Sequence, residues 1–313
     1  MAYRIGSFNM FKFSFQSDSE IRKSMSTICQ IINDNFDIVA IQEIFTPGAL
    51  KYQLLRNLGP HWDGRWAQPK SKSPQAAEGY AFIWNTRVFK LAEDRNKKGN
   101  MEIVEPSIID VYHLISGYEK LLRAPYYGRF IPQNGPFFEL RLINTHVRFS
   151  AGSTDDESEG VSESMITLRR NEVETLIKKI CDVRGVERTG NNRSVYTFLL
   201  GDYNLNLKKG TNPYPYVQEY YEICDGSQIK RYRTVQDEKT SLKQVNNISE
   251  ESPEKYANNY DHFTYDETRL VDKLGIDLQP YRIDSLMDYC NGDVGKHRLE
   301  ISDHVPIMLQ MTL

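Results

Sequence analysis

The stretch Leu199-Leu200-Gly201-Asp202-Tyr203-Asn204 is the most informative in the chain. Residues 195–200 are mainly β-branched, aromatic or apolar, so they predict a buried strand. Gly201 then lets the backbone turn, and Asp202 and Asn204 follow at the strand end. Because residues two apart in an extended segment point to the same side, we expect the carboxylate and the amide on one face. Such a pair suits a metal ion, a water nucleophile and a phosphate oxygen. Turn formation is the alternative interpretation.

Four other predicted strands are also bordered by amide, acidic or imidazole side chains. These sites are Phe8-Asn9, Ile41-Gln42-Glu43, Asn144-Thr145-His146 and Ser302-Asp303-His304, the last directly before the final strand. Ligand and catalytic residues commonly lie beyond strand ends, and hard divalent cations prefer oxygen ligands. The pattern therefore predicts a metal-assisted hydrolase. For Glu43 the alternative is an acid at a helix start, since Pro47 follows closely.

Apolar periodicity predicts strands and helices along the whole chain. Strands are expected at 3–9, 37–42, 80–85, 137–146, 196–201 and 305–312, and helices at 21–32, 48–58 and 165–180. Polar segments at 93–105, 150–163 and 236–259 are predicted to be solvated surface excursions rather than binding elements. None of them has the composition of a linker, so the sequence predicts a single α/β domain over 1–313, with helices covering packed sheets.

Composition limits the class of protein. Of 313 residues, 40% are hydrophobic and 26% are charged, which is typical of a globular chain. No apolar run is long enough to span a membrane. The N-terminus shows no signal peptide, so we expect a cytoplasmic protein unless a leader has been removed. The net charge of −3 weighs against a protein whose whole surface grips nucleic acid, but it is compatible with a locally basic cleft. Oligomeric state stays open.

The four cysteines, Cys29, Cys181, Cys224 and Cys290, are far apart and form no C-x-x-C pair. This spacing argues against a thiolate zinc site. Cys29 and Cys181 lie in the predicted helices, and we expect both to be reduced thiols in or near the core, with disulfides as the alternative.

Taken in order, these motifs resemble those of the endonuclease/exonuclease/phosphatase superfamily. The series is Ser7-Phe8-Asn9, Ile41-Gln42-Glu43, Asn144-Thr145-His146, Gly201-Asp202-Tyr203-Asn204 and Ser302-Asp303-His304-Val305-Pro306. It extends from residue 7 to residue 306, nearly the whole chain. The resemblance implies a four-layered α/β sandwich, in which two packed, mostly antiparallel β-sheets are flanked by helices.

Three further segments are most similar to nucleases of the deoxyribonuclease I type. They are Glu78-Gly79-Tyr80-Ala81-Phe82, the Arg-x-Pro segment that begins at Arg123 and extends past Arg129, and Asn259-Tyr260-Asp261. The Trp-Cys-Asp-Arg segment of phosphoinositide phosphatases is absent. For Arg123 and Arg129 the alternative is a solvated loop, and phosphate contact is expected more of Arg123 than of Arg129.

The resemblance implies a role for each matching residue. A divalent ion, Mg²⁺ with Mn²⁺ or Ca²⁺ as alternatives, is expected at Glu43, Asn9, Asp303 and Asp202. His146 held by Glu78, and His304 held by Asp261, are expected to form an acid–base pair. Asp202 and Asn204 are expected to bind a second ion or to orient the attacking water, and Arg123 and Asn204 to contact the substrate phosphate.

The implied activity is that of a divalent-metal-dependent endonuclease that hydrolyses the phosphodiester bonds of DNA. One alternative is a phosphatase or phospholipase of the same superfamily, acting on inositol phosphates or sphingomyelin. Another is a catalytically inactive binding module on the same scaffold. The chain departs from secreted deoxyribonucleases because it lacks a leader and a closely spaced cysteine pair, which favours an intracellular enzyme.

Overall fold

Two β-sheets face each other in the computed structural model, and helices cover their outer faces. The structure describes residues 1–14, 23–69, 78–96, 98–109, 121, 123–148, 165–182, 193–208, 216–226 and 228–313. The predicted excursion at 150–163 lies outside these residues.

The strands in chain order are β1 (Ala2–Phe13), β2 (Ile38–Ile44), β3 (Trp62–Ala67), β4 (Tyr80–Asn85), β5 (Phe89–Leu91), β6 (Glu93–Arg95), β7 (Met101–Ile103), β8 (Ser107–Ile108), β9 (Tyr126–Pro132), β10 (Phe138–His146), β11 (Ser194–Asp202), β12 (Leu207–Lys208), β13 (Val217–Gln218), β14 (Tyr220–Asp225), β15 (Gln228–Val235), β16 (Asp261–Asp266), β17 (Asp277–Arg282) and β18 (Ile307–Thr312). The helical segments are α1 (Met25–Asn35), α2 (Ala49–Leu55, continued by Arg56–Leu58), α3 (Met165–Thr175, continued by Leu176–Cys181), a 3₁₀ turn (Val245–Asn247), α4 (Thr268–Lys273), α5 (Ser285–Cys290) and α6 (Val294–Glu300).

Each large sheet combines one parallel pair with antiparallel neighbours among the described strands. The first sheet has the order β17-β18-β1-β2-β4-β3, and the second has the order β14-β15-β16-β11-β10-β9-β5, with β8 added beside β9. The parallel pairs are β1–β2 and β10–β11. Parallel neighbours need a crossover connection, and α1 and α3 lie in these two connections.

An apolar layer rich in aromatic side chains fills the space between the sheets. Phe82 of the first sheet stacks on Tyr126 of the second with ring centroids 4.8 Å apart. The outer face of the first sheet packs against α1, α2, α5 and α6, and the outer face of the second packs against α3. The described residues therefore form helix, sheet, sheet and helix layers, which confirms the predicted four-layered, mostly antiparallel α/β sandwich.

The predicted strands and helices have counterparts at the expected places, and the two polar excursions that the structure describes contain some regular or buried structure. Segment 93–105 contains the β6–β7 hairpin. In segment 236–259, Thr240 and Leu242 are buried, whereas Val245 is 52% exposed. The part of segment 236–259 around Ser241 therefore belongs to the packed structure, because Ser241 forms a β-bridge with His304. One domain over 1–313 stays a prediction.

Two smaller expectations concern the core and the membrane. Cys29, Cys181 and Cys290 are buried free cysteines and Cys224 is an exposed one, so the expected core position of Cys29 and Cys181 is confirmed. Among the described residues, no helix is both long and apolar enough to cross a bilayer.

Candidate active site

Strand register places the polar strand ends of the second sheet side by side. On the parallel pair β10–β11, His146 lies opposite Asp202, the last residue of each strand. On the other side of β11, the antiparallel strand β16 begins with Asp261 opposite Asp202. Three residues that are distant in sequence thus meet at one end of the sheet, because β10 and β11 end there and β16 begins there.

Gly201 is required for this arrangement. Its φ of +144° is in a region that L-residues rarely adopt, and a Cβ at this position would lie 1.9 Å from the carbonyl oxygen of Thr145. Only glycine lets β11 approach β10 so closely at the point where His146 and Asp202 face each other.

The carboxylate of Asp202 is the centre of the site. Its Oδ2 accepts a 3.0 Å hydrogen bond from Asn9 Nδ2, and it lies 3.7 Å from Nε2 of both His146 and His304. Burial and the nearby charge of Asp261 raise the pKa of Asp202 to about 6, against the opposing effect of the two imidazoles. The two histidines therefore point their Nε2 atoms at one buried carboxylate oxygen.

His146 is held through its other ring nitrogen. Nδ1 lies 2.8 Å from Glu78 Oε2, and the guanidinium of Arg123 contacts the same carboxylate at 2.7 Å. The backbone N–H of His146 donates to the hydroxyl of Tyr80 at 3.1 Å. Burial and the charge of Arg123 lower the pKa of His146, but the hydrogen bond to Glu78 and the charge of Asp202 outweigh them, so the pKa is raised above 6.5.

His304 is held in the same way by a different carboxylate. Its Nδ1 lies 2.7 Å from Asp261 Oδ2, which also accepts a 2.6 Å hydrogen bond from the hydroxyl of Thr240. Burial lowers the pKa of His304, but the charges of Asp261 and Asp202 outweigh it and hold the pKa well above 6.5. Each predicted histidine–carboxylate pair is thus formed with Nε2 left facing the site.

Glu43 joins the site from the first sheet. Asn9 Nδ2 donates to Glu43 Oε1 at 3.0 Å as well as to Asp202, so one amide connects the two sheets. Glu43 lies within β2, so its interpretation as a helix-start acid is wrong. Its φ of +57° is unusual for a residue with a Cβ, and such strained residues concentrate at functional sites.

Asn204 reaches the site in a different way from the one expected. β11 ends at Asp202, and Asn204 has a φ of +49°, so the two residues do not share the face of an extended strand. Instead, the Asn204 N–H donates to Asp202 Oδ1 at 2.8 Å, and Asn204 Nδ2 donates to the carbonyl of Val147 at 2.7 Å. The same-face expectation is wrong because the turn begins before the second residue.

The two arginines of the Arg-x-Pro segment have different surroundings. Arg123 lies in the site beside Glu78 and His146. Arg129 lies on β9, a strand that the loop interpretation missed, where it binds Glu139 at 2.7 Å and Asp94 at 2.5 Å. Its charge is satisfied there by two carboxylates, which does not favour a phosphate contact, and the weaker expectation for Arg129 stays an untested prediction.

Asp303 lies beside two cationic side chains. Its Oδ2 is 3.5 Å from Arg298, whereas its buried Oδ1 has no hydrogen-bond partner among the described residues. Lys23 donates to the carbonyl of Ile301 at 2.7 Å. Burial lowers the pKa of Lys23 to about 8, partly offset by the charges of Asp303 and Glu43. Lys23 was not among the predicted site residues, because no recognisable motif surrounds it.

Buried polar side chains beneath the site were also missed as supporting residues. Gln42 Nε2 donates to Asn144 Oδ1 at 2.7 Å and to Ser7 Oγ at 3.1 Å, which ties the two sheets together. Ser302 Oγ donates to the carbonyl of Asn9 at 2.6 Å and accepts from the N–H of His304 at 3.1 Å. All lie within the quoted motifs, so their position next to the site residues was the available signal.

The donor set fits a hard divalent cation. Two groups have ligand atoms close enough to share an ion, Glu43, Glu78 and His146, and Asp202, Asp261 and His304. Oxygen donors dominate both, as Mg²⁺, Mn²⁺ and Ca²⁺ require. The unpartnered Oδ1 of Asp303 and the crowding of carboxylates around Asp202 leave negative charge that a cation would neutralise. The residues present therefore fit a divalent cation, and the two groups contain Glu43 and Asp202 of the four predicted ligands.

No protein-family model and no curated protein matches the sequence, but several solved structures are similar to this chain. ANGEL2, a 2′,3′-cyclic phosphatase, solved with adenosine-2′,3′-vanadate, aligns over 99% of this chain and 95% of its own, with a TM-score of 0.54 and 11% identity. An endonuclease/exonuclease/phosphatase from Beutenbergia cavernae DSM 12333 aligns over 100% and 72%, with a TM-score of 0.51 and 11% identity. The chain has the endonuclease/exonuclease/phosphatase fold.

A functionally unknown conserved protein from Enterococcus faecalis V583 is also similar, over 99% of both chains, with a TM-score of 0.51 and 14% identity. Identities this low concern the fold alone. The resemblance of the ordered motifs to the endonuclease/exonuclease/phosphatase superfamily is thus confirmed at the level of its fold, and the roles of the individual residues stay predictions.

Proposed function

We propose that this chain is a divalent-metal-dependent phosphodiesterase, and that it is an endonuclease acting on DNA. The observation that carries the proposal is the symmetric pair of histidines: both Nε2 atoms lie 3.7 Å from Asp202 Oδ2, and each Nδ1 lies within 2.8 Å of a carboxylate. A binding module needs neither pair. An acid and a base at one site are what hydrolysis by water requires.

In this proposal Glu43, Asn9, Asp303 and Asp202 would surround Mg²⁺, with Mn²⁺ or Ca²⁺ as alternatives. The three carboxylates would supply the ligand oxygens, because Asn9 turns its Nδ2 toward Glu43 and Asp202. When bound, the ion polarises the phosphoryl group and neutralises its developing charge. Asn9 orients Glu43 and Asp202 toward each other through its two hydrogen bonds.

The two imidazoles move the protons. One Nε2 accepts the proton of the attacking water, and the other donates a proton to the leaving oxygen. Glu78 and Asp261 keep the proton on Nδ1 and stabilise the imidazolium form. Arg123 shares Glu78 with His146 and is proposed, with Asn204, to contact the substrate phosphate.

The choice of DNA rests on the segments around Glu78, Arg123 and Asp261, which resemble those of deoxyribonuclease I-type enzymes. The alternative, a phosphatase or phospholipase, is also compatible with the fold, because ANGEL2 is a 2′,3′-cyclic phosphatase. DNA as the partner and a cytoplasmic location stay predictions.

The test is nicking of supercoiled plasmid. With Mg²⁺ the purified chain should convert the plasmid to relaxed and linear forms, and EDTA should stop the reaction. His146→Ala should lower the rate by about 10²- to 10⁴-fold, since this is the usual contribution of general acid–base catalysis.

The matched control is His61→Ala, since His61 is an exposed histidine in the turn before β3. Its rate should match the wild type. Intact plasmid, together with release of phosphate from a nucleoside 2′,3′-cyclic phosphate or an inositol phosphate, would replace the nuclease proposal with the phosphatase alternative.

A further inference from the structure

The end of β1 has an irregularity that faces the site. Asn9 pairs with Gln42 and Phe13 pairs with Ile44, so residues 10–12 of β1 stand opposite Glu43 alone. A bulge of this kind re-aims side chains and is common next to active sites. Here the bulge leaves Phe11 half-buried and Lys12 exposed, whereas Met10 and Phe13 on either side are buried.

The bulge has a strained backbone that is held in place. Phe11 and Lys12 have φ values of +38° and +52°, and neither is glycine. Consecutive residues in the left-handed region are retained only where several surrounding contacts hold the backbone in that conformation. The Phe11 N–H donates to Asn9 Oδ1 at 3.0 Å, and the Lys12 N–H donates to Glu43 Oε2 at 3.1 Å. The bulge is therefore fixed by the side chains proposed to hold the metal.

Two lysines lie beside the aromatic ring that the bulge presents. Lys12 Nζ is 5.2 Å from the centroid of the Phe11 ring, and Lys23 Nζ is 5.8 Å from it. Phe11 is only partly buried and Lys12 is exposed. An exposed cation–π contact is weak compared with a charge-assisted hydrogen bond to phosphate, so a substrate phosphate would displace the ammonium group of Lys12 from the ring.

We infer that Phe11 and Lys12 form a substrate-binding subsite, in which a nucleobase beside the scissile bond stacks on Phe11 and a backbone phosphate binds Lys12. An aromatic ring bordered by lysines is the arrangement that binds single nucleotides of a strand without reading their sequence. The inference rests on the proposed nuclease function and adds a residue pair that belongs to none of the matched motifs.

The protein-side test is steady-state cleavage of a fluorescent oligonucleotide with Mg²⁺. Phe11→Leu should raise KM about ten-fold, the usual effect of losing one stacked base, and leave kcat within about three-fold. Phe11→Tyr should restore the wild-type KM, because it keeps the ring. Lys12→Gln should lower the slope of log affinity against log salt concentration by about one, since one phosphate contact is lost.

Tyr52→Leu is the matched control. Tyr52 is 56% exposed on α2 with Lys51 Nζ 5.3 Å from its ring, a similar lysine–aromatic pair on the outer helical layer. Its KM should stay at the wild-type value. Equal effects of Tyr52→Leu and Phe11→Leu would overturn the inference.

A substrate-side test starts from the wild-type protein. A set of oligonucleotides, each with one abasic position, is cut by the wild-type protein, and one position next to the cut should raise KM about ten-fold. At that position Phe11→Leu should have no additional effect. Efficient cutting of DNA with no such position would overturn the inference and leave the proposed function intact, whereas failure to cut any nucleic acid would overturn both.

Discussion

The carboxylate of Asp202 is buried where few charges are tolerated, and we propose that its role in the reaction explains why it is there. It is 1% exposed beside Asp261, and burial together with that neighbour raises its pKa to about 6. A carboxyl group whose pKa rises on folding binds its proton more tightly in the folded state. Its stabilising contribution is therefore complete below about 3.8 and is lost as the pH rises through about 6.

Asp202→Asn should accordingly separate activity from stability. In EDTA at neutral to slightly alkaline pH, the free energy of unfolding should stay the same or rise, by up to about 3 kcal/mol, because the amide has no charge to desolvate. Plasmid nicking with Mg²⁺ should fall by at least about 10²-fold. Urea unfolding followed by circular dichroism measures the first quantity.

Asp37→Asn is the comparison for this experiment. Asp37 accepts hydrogen bonds of 2.9 and 3.0 Å from the N–H and the guanidinium of Arg4, so this variant should lose about 1 kcal/mol. A similar loss in Asp202→Asn would indicate that Asp202 has a structural role instead.

At the scale of elements, the contact between β10 and β11 determines whether the site forms. These parallel strands run together for nine residue pairs, from Phe138 opposite Ser194 to His146 opposite Asp202. The close approach at Gly201 and Thr145 lies one residue before that end.

Gly201→Ala should therefore destabilise the fold by about 3 kcal/mol and abolish nicking, since the new methyl group must push the two strand ends apart. Gly275→Ala is the matched variant, because Gly275 also has a positive φ, +66°, but a methyl group added there would meet no atom within 4 Å. It should lose about 1 kcal/mol and keep its activity. Equal losses in the two variants would contradict the steric explanation.

The elements also show how far sequence patterns reach. β10 and β11 were predictable because their residues form long apolar runs, and α1 because its apolar residues recur with helical spacing. β9 and β15 were not predicted, because Arg129 in β9 and several charged residues in β15 interrupt the apolar pattern; in the fold, Arg129 is neutralised by Glu139 and Asp94. Tertiary ion pairs of this kind leave no periodic signal.

For the site, residue types at strand ends identified the histidines and carboxylates, but their geometry required the register of the sheets. Asn9 donates hydrogen bonds to both Glu43 and Asp202, and Asp202 is 193 positions away from it in the sequence. Likewise, the turn at Asn204 depends on the side chain of Asp202, which strand periodicity does not describe.

At the scale of the whole molecule, a buried histidine makes stability depend on pH. His297 Nδ1–H donates to the carbonyl of Ser302 at 2.6 Å, and His297 Nε2 accepts from the hydroxyl of Ser285 at 2.8 Å. Burial lowers its pKa from 6.5 to about 4. Between these values the unfolded chain binds a proton that the folded chain does not, so stability is complete above about 6.5 and falls as the pH decreases toward about 4.

Acidification should therefore weaken the fold through His297. At about 1.4 kcal/mol for each pH unit between those values, the expected contribution to the loss is about 3 kcal/mol. Urea unfolding of the wild type and of His297→Gln at about pH 7.5 and about pH 4 should show a smaller pH effect in the variant by that amount. His61→Gln changes an exposed histidine, and its free energy of unfolding should depend on pH as that of the wild type does. An unchanged pH effect in His297→Gln would refute the assignment.

The bridge that Asn9 makes between the sheets has a consequence for engineering. An amide that must reach a carboxylate on each sheet with bonds of 3.0 Å tolerates very little sliding of one sheet over the other. The proposed cleavage activity would then report whether the two sheets are correctly aligned. A designer who enlarges or trims the aromatic layer around Phe82 and Tyr126 could screen colonies for retained cleavage. Variants that still cleave DNA would be those whose repacked core keeps the two sheets aligned.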